Sequence, residues 1–111
     1  MYCSFLHGSI VHGECVLKYI LSLACNGRAS ASVVVSEFAC VNDNPSWAPC
    51  TDQTQINTFI NDVVSYFESN DDVVAYGPSN GNGLGDVWPL TDSSGALTTS
   101  GQTYLNAIKG V

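Results

Sequence analysis

The sequence is poor in basic residues and has no long hydrophobic run. Its only lysines and arginine are Lys18, Arg28 and Lys109, against ten aspartates and glutamates, and the net charge is -7. Nucleic acids and anionic membranes are bound through clustered Lys and Arg, so this composition argues against both as partners. No apolar run approaches the ~20 residues that a transmembrane helix requires. A hydrophobic content of 45 % is nevertheless enough to form a globular core.

The chain also lacks the paired CxxC spacings of a zinc site, so we predict no metal. Five cysteines in 111 residues indicate an oxidising compartment. Cys40 and Cys50 flank a proline-containing loop and are the best candidates for a local disulfide. The odd number leaves one thiol that is either free and buried or paired outside this sequence. No secretory signal begins the chain, and we therefore expect the true N-terminus to be missing.

The most informative stretch is a short valine run that ends in a carboxylate. Val33, Val34 and Val35 favour extended backbone and predict a strand buried on both faces. Glu37 follows this run directly. In α/β barrels the functional side chains lie at the carboxyl ends of buried parallel strands. Glu37 is therefore either a functional carboxylate or the position where the strand reaches water, and spacing alone does not decide between them.

The rest of the chain predicts alternating helices and strands. Apolar stripes of helical period indicate helices over residues 14–26 and 53–69, while 73–76 is predicted to be a second buried strand. A final helix is predicted to start near Thr98 as its N-cap and to stop at Gly110. Strand, helix and strand in this order form a βαβ unit with parallel strands. The glycine-rich residues 81–85 do not have the spacing of a dinucleotide loop, so no cofactor is predicted.

Three stretches together resemble a known family. The segment from Val34 to Cys40 resembles the W-(I/V)-T-E-F-A strand of the fungal alkali-sensitive-linkage-type glycosyl hydrolases, which form glycoside hydrolase family 128. The helix containing Gln55 and Phe59 is similar to the segment that follows there. Residues 90–105 resemble the closing L…G.LT.LG..Y signature. We assign 14–111 to a partial catalytic domain of this type and leave 1–13 unassigned.

The resemblance implies an α/β fold, the C-terminal fragment of a TIM (β/α)8 barrel from about strand 7 to helix 8. It implies hydrolysis of β-1,3-glucan by a retaining mechanism in which Glu37 is the nucleophile. It also implies that the protein is a monomer located outside the cell or in the cell wall. Trp47, Tyr76 and Trp88 are then candidate sugar platforms, although the surroundings of Tyr76 depart from the family pattern. The family's acid follows an asparagine, and no Asn-Glu pair occurs here. We therefore expect the isolated chain to be inactive.

Two other function classes remain open. One is a non-catalytic glucan-binding module in which Trp47 and Trp88 bind the sugar and Glu37 is incidental. Trp47 itself is equally compatible with covering the core, since tryptophan often has that role. The other is a small secreted disulfide protein with a structural role.

Overall fold

The computed structural model describes residues 2–5, 32–35, 37–42, 48–80 and 83–111, and the following account refers to them. The helix predicted over 14–26 and the candidate sugar platform Trp47 lie outside the described residues. The elements, in chain order, are β1 (Tyr2–Phe5), β2 (Ser32–Val35), β3 (Val41–Asn42), β4 (Ala48–Pro49), α1 (Gln53–Ser69), β5 (Val73–Tyr76) and α2 (Thr99–Lys109). Neither described helix combines the length and the apolar character needed to cross a membrane.

Three strands form a parallel sheet in the order β1-β2-β5. The predicted α/β class and the parallel βαβ unit are therefore confirmed. Residues 1–13 were unassigned from the sequence, yet β1 lies within them and pairs with β2 along its whole length. An irregularity between Val33 and Val34 shifts the register with β5, so that Val34 pairs with Ala75 and Val35 with Tyr76.

Helix α1 has the bounds that its apolar stripe predicts. The Asp52 carboxylate caps it by accepting hydrogen bonds from the backbone N–H groups of Thr54 (2.8 Å) and Gln55 (3.3 Å). The helix ends at Asn70, whose N–H donates to the carbonyl of Phe67. One face is buried against the sheet, and each large apolar side chain on it contributes about 1.5–3 kcal/mol to stability. These residues are Ile56, Phe59, Ile60, Val63, Val64, Tyr66 and Phe67.

Phe38, the residue after Glu37, lies at the centre of the core and is 1 % exposed. Its ring packs against aromatic rings from both helices, from β5 and from the segment between β5 and α2. The centroid distances are 5.4 Å to Phe67, 6.2 Å to Phe59, 6.3 Å to Trp88 and to Tyr104, and 6.5 Å to Tyr76. The residue beside the candidate carboxylate therefore joins β2 to both helices.

A tight turn precedes α2. The Asp92 carboxylate accepts hydrogen bonds from the Ser94 N–H (2.8 Å), the Ser94 hydroxyl (2.6 Å) and the Ala96 N–H (3.1 Å). The hydrogen bond from the Ser94 side chain is the largest of several that hold the pKa of Asp92 below its usual value. Gly95 adopts the positive φ of 84° that closes the turn. Helix α2 then begins with Thr98 as its N-cap, as predicted.

Candidate functional site

Glu37 lies just beyond the carboxyl end of β2, and its side chain is exposed. The backbone on both sides of it is fixed by three hydrogen bonds. The Gly77 N–H donates to the Val35 carbonyl (3.0 Å), and the Ser79 N–H donates to the Phe38 carbonyl (2.8 Å). The Cys50 N–H donates to the Cys40 carbonyl (3.1 Å). A solvent-exposed carboxylate is therefore carried on a backbone that the core and two loops hold in place.

The hydrogen bonds from residues 77 and 79 were not predicted from the sequence. The only available signal is that residues 77–80 directly follow β5, the strand paired with β2. The carboxyl ends of neighbouring parallel strands lie at the same edge of a sheet, so the chain leaving β5 passes the chain leaving β2.

Cys40 and Cys50 form the predicted disulfide, with their Cα atoms 5.5 Å apart. The bridge closes a small antiparallel hairpin made of β3 and β4, in which Val41 pairs with Pro49 and Asn42 pairs with Ala48. Both cysteines are buried. The hairpin was not predicted, because a two-residue strand containing proline carries no alternating pattern and belongs at a sheet edge. The bridge begins three residues after Glu37.

Tyr76 ends β5, and its ring packs against the helix layer. It lies 4.9 Å from the ring of Phe67, and its hydroxyl donates a 2.5 Å hydrogen bond to the Glu68 carboxylate. Burial, and then this bond to Glu68, raise the pKa of Tyr76 well above its usual value of 10.0. Both the ring and the hydroxyl group of Tyr76 therefore make structural contacts. The ring packs against the core, and the hydroxyl is hydrogen-bonded to Glu68 in the last turn of α1. This arrangement does not present Tyr76 as an open platform for a sugar.

Trp88 is a core residue, which corrects its assignment as a sugar platform. Its side chain is 0 % exposed and packs edge-on against Phe59 at 5.8 Å and Phe38 at 6.3 Å. Its indole N–H donates to the Ser79 carbonyl at 2.7 Å. Stacking on a sugar needs an accessible ring face, and Trp88 has none.

Within the part of the chain that the structure describes, the site therefore reduces to one accessible carboxylate, that of Glu37, at the carboxyl edge of the sheet. Among the described residues, no three or more His, Cys, Asp or Glu are grouped so as to hold a metal ion. A retaining glycosidase needs two carboxyl groups about 5 Å apart. Glu68, at the end of α1, accepts a hydrogen bond from the Tyr76 hydroxyl. By itself, the Glu37 carboxylate can accept hydrogen bonds from ligand hydroxyl groups. It can act as a nucleophile if a carboxylic acid outside the described residues lies beside it.

Comparison with known proteins defines the class first. Residues 13–104 match the model of the glycosyl hydrolase catalytic core. The chain therefore belongs to the glycosyl hydrolase catalytic core family, in the family 128 type that its sequence resembles. No protein with a curated description matches the chain.

Solved structures give the more particular relatives. The chain is similar to two oligosaccharide-binding proteins of family 128, subgroup VII, each 40% identical over 98% of this chain. The one from Trichoderma gamsii superposes with a TM-score of 0.85, and the one from Cryptococcus neoformans with 0.76. A subgroup II endo-β-1,3-glucanase from Pseudomonas viridiflava is 25% identical over 91% of the chain, with a TM-score of 0.56. The chain spans 41%, 40% and 38% of these three structures, respectively.

Proposed function

We propose that the chain is the C-terminal portion of a family 128 (β/α)8 barrel that binds β-1,3-linked glucose oligosaccharides through Glu37. The observation that carries this proposal is an exposed carboxylate on a fixed backbone at the carboxyl end of a parallel strand. Two relatives that are 40% identical and named as oligosaccharide-binding proteins support it. The endo-β-1,3-glucanase relative supports the choice of linkage.

The chemistry of a carboxylate suits this ligand. A sugar presents many hydroxyl donors, and charge-assisted hydrogen bonds from them to a carboxylate are stronger than neutral ones. The three backbone hydrogen bonds around Glu37 limit the entropy lost when a ligand binds, because the segment is already ordered. Trp47 stays a candidate stacking platform in the loop closed by the disulfide. An extracellular or cell-wall location is part of this proposal, and the Cys40–Cys50 bridge is compatible with it.

A second candidate function is retaining hydrolysis with Glu37 as nucleophile, and the similarity to the glucanase favours it. This mechanism needs an acid close to Glu37. Of the other two glutamates, Glu68 is hydrogen-bonded to the Tyr76 hydroxyl, and Glu14 lies in the part of the chain that is not described. Without a positioned acid the rate falls by about 10²–10⁴. We therefore propose that this chain by itself binds oligosaccharide and does not turn it over.

The test is calorimetric titration of β-1,3-linked glucose oligomers into the 111-residue chain and into Glu37→Gln. A hydrogen bond to a charged group contributes about 1.5–3 kcal/mol, so Glu37→Gln should weaken binding roughly tenfold or more. Asp71→Asn is the matched control, because it removes an exposed carboxylate on the turn before β5 and should leave the affinity unchanged. Equal affinities for the parent chain and Glu37→Gln would remove Glu37 from the site.

A parallel assay for newly formed reducing ends separates the two functions. We expect no product from the chain on the same oligomers. Product that disappears in Glu37→Gln would establish the hydrolytic function instead. Titration with β-1,4-linked oligomers serves as the linkage control and should give weaker binding.

A further inference from the structure

Trp88 holds the residue beside Glu37 in two ways. Its ring packs edge-on against the ring of Phe38, with the centroids 6.3 Å apart. Its indole N–H donates a 2.7 Å hydrogen bond to the Ser79 carbonyl. The Ser79 N–H in turn donates a 2.8 Å hydrogen bond to the Phe38 carbonyl. Trp88, Ser79 and Phe38 are therefore joined in a closed set of contacts, called the Trp88 network below, which fixes both the ring and the carbonyl of the residue that follows Glu37.

Further hydrogen bonds connect the same two segments. The Leu90 N–H donates to the side-chain oxygen of Asn80 at 3.0 Å, and the Asn80 amide nitrogen donates to the Thr91 hydroxyl at 3.4 Å. Residues 77–80 are thus bound on one side to the chain that leaves β2 and on the other side to residues 88–91. The position of Ser79 relative to Phe38 therefore depends on the segment that begins with Trp88.

The residue type at position 88 suits this role. A buried Trp usually finds a partner for its N–H, so the hydrogen bond alone would be consistent with the pairing of a buried donor. Here, however, the acceptor belongs to the residue whose own N–H holds Phe38. A Phe at position 88 could pack against the same rings but has no donor for Ser79.

We propose that Trp88 is a positioning residue, which acts through Ser79 and Phe38 to set the Glu37 backbone for oligosaccharide binding. This inference rests on the proposed function, because it assigns a purpose to the geometry of Glu37. It differs from a purely structural role of Trp88 in one measurable respect. If Trp88 acts through Glu37, its effect on affinity has to depend on the Glu37 carboxylate, whereas its effect on stability does not.

The experiment is a double-mutant cycle that combines Trp88→Phe with Glu37→Gln, measured by calorimetric titration of β-1,3-linked glucose oligomers. Loss of one neutral hydrogen bond corresponds to about fivefold, so Trp88→Phe should weaken binding to the parent chain by about that factor. In the Glu37→Gln background the same substitution should change the affinity by less than about twofold, because the charged group that it positions is absent. Equal losses in the two backgrounds would overturn the proposal.

Two further variants separate the hydrogen bond from core packing. Phe59→Leu is the matched control, because Phe59 packs against the Trp88 ring at 5.8 Å but has no hydrogen-bonding group. It should lower stability and leave the affinity of the folded chain unchanged, and a loss equal to that of Trp88→Phe would overturn the proposal. Site-specific replacement of Trp88 by 3-benzothienylalanine keeps the shape of the indole and removes its N–H. This variant should reproduce the loss of affinity even where Trp88→Phe folds poorly, and full affinity would overturn the proposal.

Amide exchange provides a measurement that needs no sugar. With 3-benzothienylalanine at position 88, exchange of the Ser79 N–H should become faster by about fivefold or more, because this N–H is the link to Phe38. Unchanged exchange would overturn the positioning role while leaving the proposed function in place. Equal affinities of the parent chain and Glu37→Gln would instead overturn the proposed function, and with it the purpose assigned to Trp88. The two failures are therefore distinguishable.

Discussion

Removal of the Cys40–Cys50 bridge should destabilise the chain by an amount that the size of the closed loop determines. The bridged residues are 10 apart in sequence. A cross-link over a loop of that size reduces the entropy of the unfolded chain by an amount equivalent to about 2.7 kcal/mol at 25 °C in the chain-entropy model. The hairpin inside the bridge has only two residue pairs and cannot hold itself together without the cross-link. We therefore expect loss of the bridge to lower the free energy of unfolding by nearly the full amount of about 2.7 kcal/mol.

The assay is urea unfolding followed by helical circular dichroism, on Cys40→Ala, Cys50→Ala and the double variant. Either single substitution already breaks the bridge. Each single variant and the double variant should therefore lose about the same 2.7 kcal/mol, roughly a hundredfold in the folding equilibrium. Losses in the two single variants that add up in the double variant would refute the reasoning. They would mean that the two buried side chains contribute separately through packing rather than through the bond between them.

Two further predictions concern the segment around α2. Gly101→Ala should destabilise the chain by about 1–3 kcal/mol in the same unfolding assay, because a Cβ there would lie 2.0 Å from the backbone carbonyl oxygen of Leu90. For Asp92, a pKa held below its usual value means that its contribution to stability is present above about pH 3.9. That contribution is lost as the pH falls through the lowered pKa. In thermal melts, the parent chain should therefore be more stable than Asp92→Asn above about pH 4, and the difference should vanish in stronger acid.

Both predictions have clear controls. Gly110→Ala adds the same methyl group at the end of α2, where φ is -81° and the nearest atom is 3.4 Å away, so it should be close to neutral. A similar loss in both glycine variants would rule out the contact with Leu90 as the cause. For Asp92, a difference in melting temperature that stays constant throughout the acid range would show that the charge of the carboxylate does not matter to the turn.

The sequence predicted best where local signals determine the structure. Helix α1 has the predicted bounds because Asp52 supplies a cap and the apolar residues repeat at helical spacing over about three turns. Thr98 sets the start of α2 in the same way. Strand β1 was missed because Tyr2–Phe5 is too short and too mixed in polarity to give a strand signal. Its pairing with β2, which lies far along the chain, supplies the strand.

The candidate site was harder to predict because burial there depends on distant contacts. Trp88 follows a glycine-rich stretch and precedes a proline, a local context that indicates an exposed loop. Its burial results from Phe38 and Phe59, which are 50 and 29 positions away in the printed sequence. Strand β5 was predicted to be buried, yet Val74 is largely exposed because β5 has a described neighbour on only one side. No local pattern distinguishes a central parallel strand from one at an edge.

The contrast between Glu37 and Phe38 has a consequence for how this kind of protein changes over time. Glu37 is exposed, so replacing it leaves the aromatic core intact, whereas Phe38 contacts five other rings and tolerates little. The accessible carboxylate and the aromatic core therefore occupy adjacent but separate positions. A substitution at residue 37 changes what this edge of the sheet can bind while the fold that carries it stays intact. The proposed site can thus change in sequence without loss of the core on this scaffold.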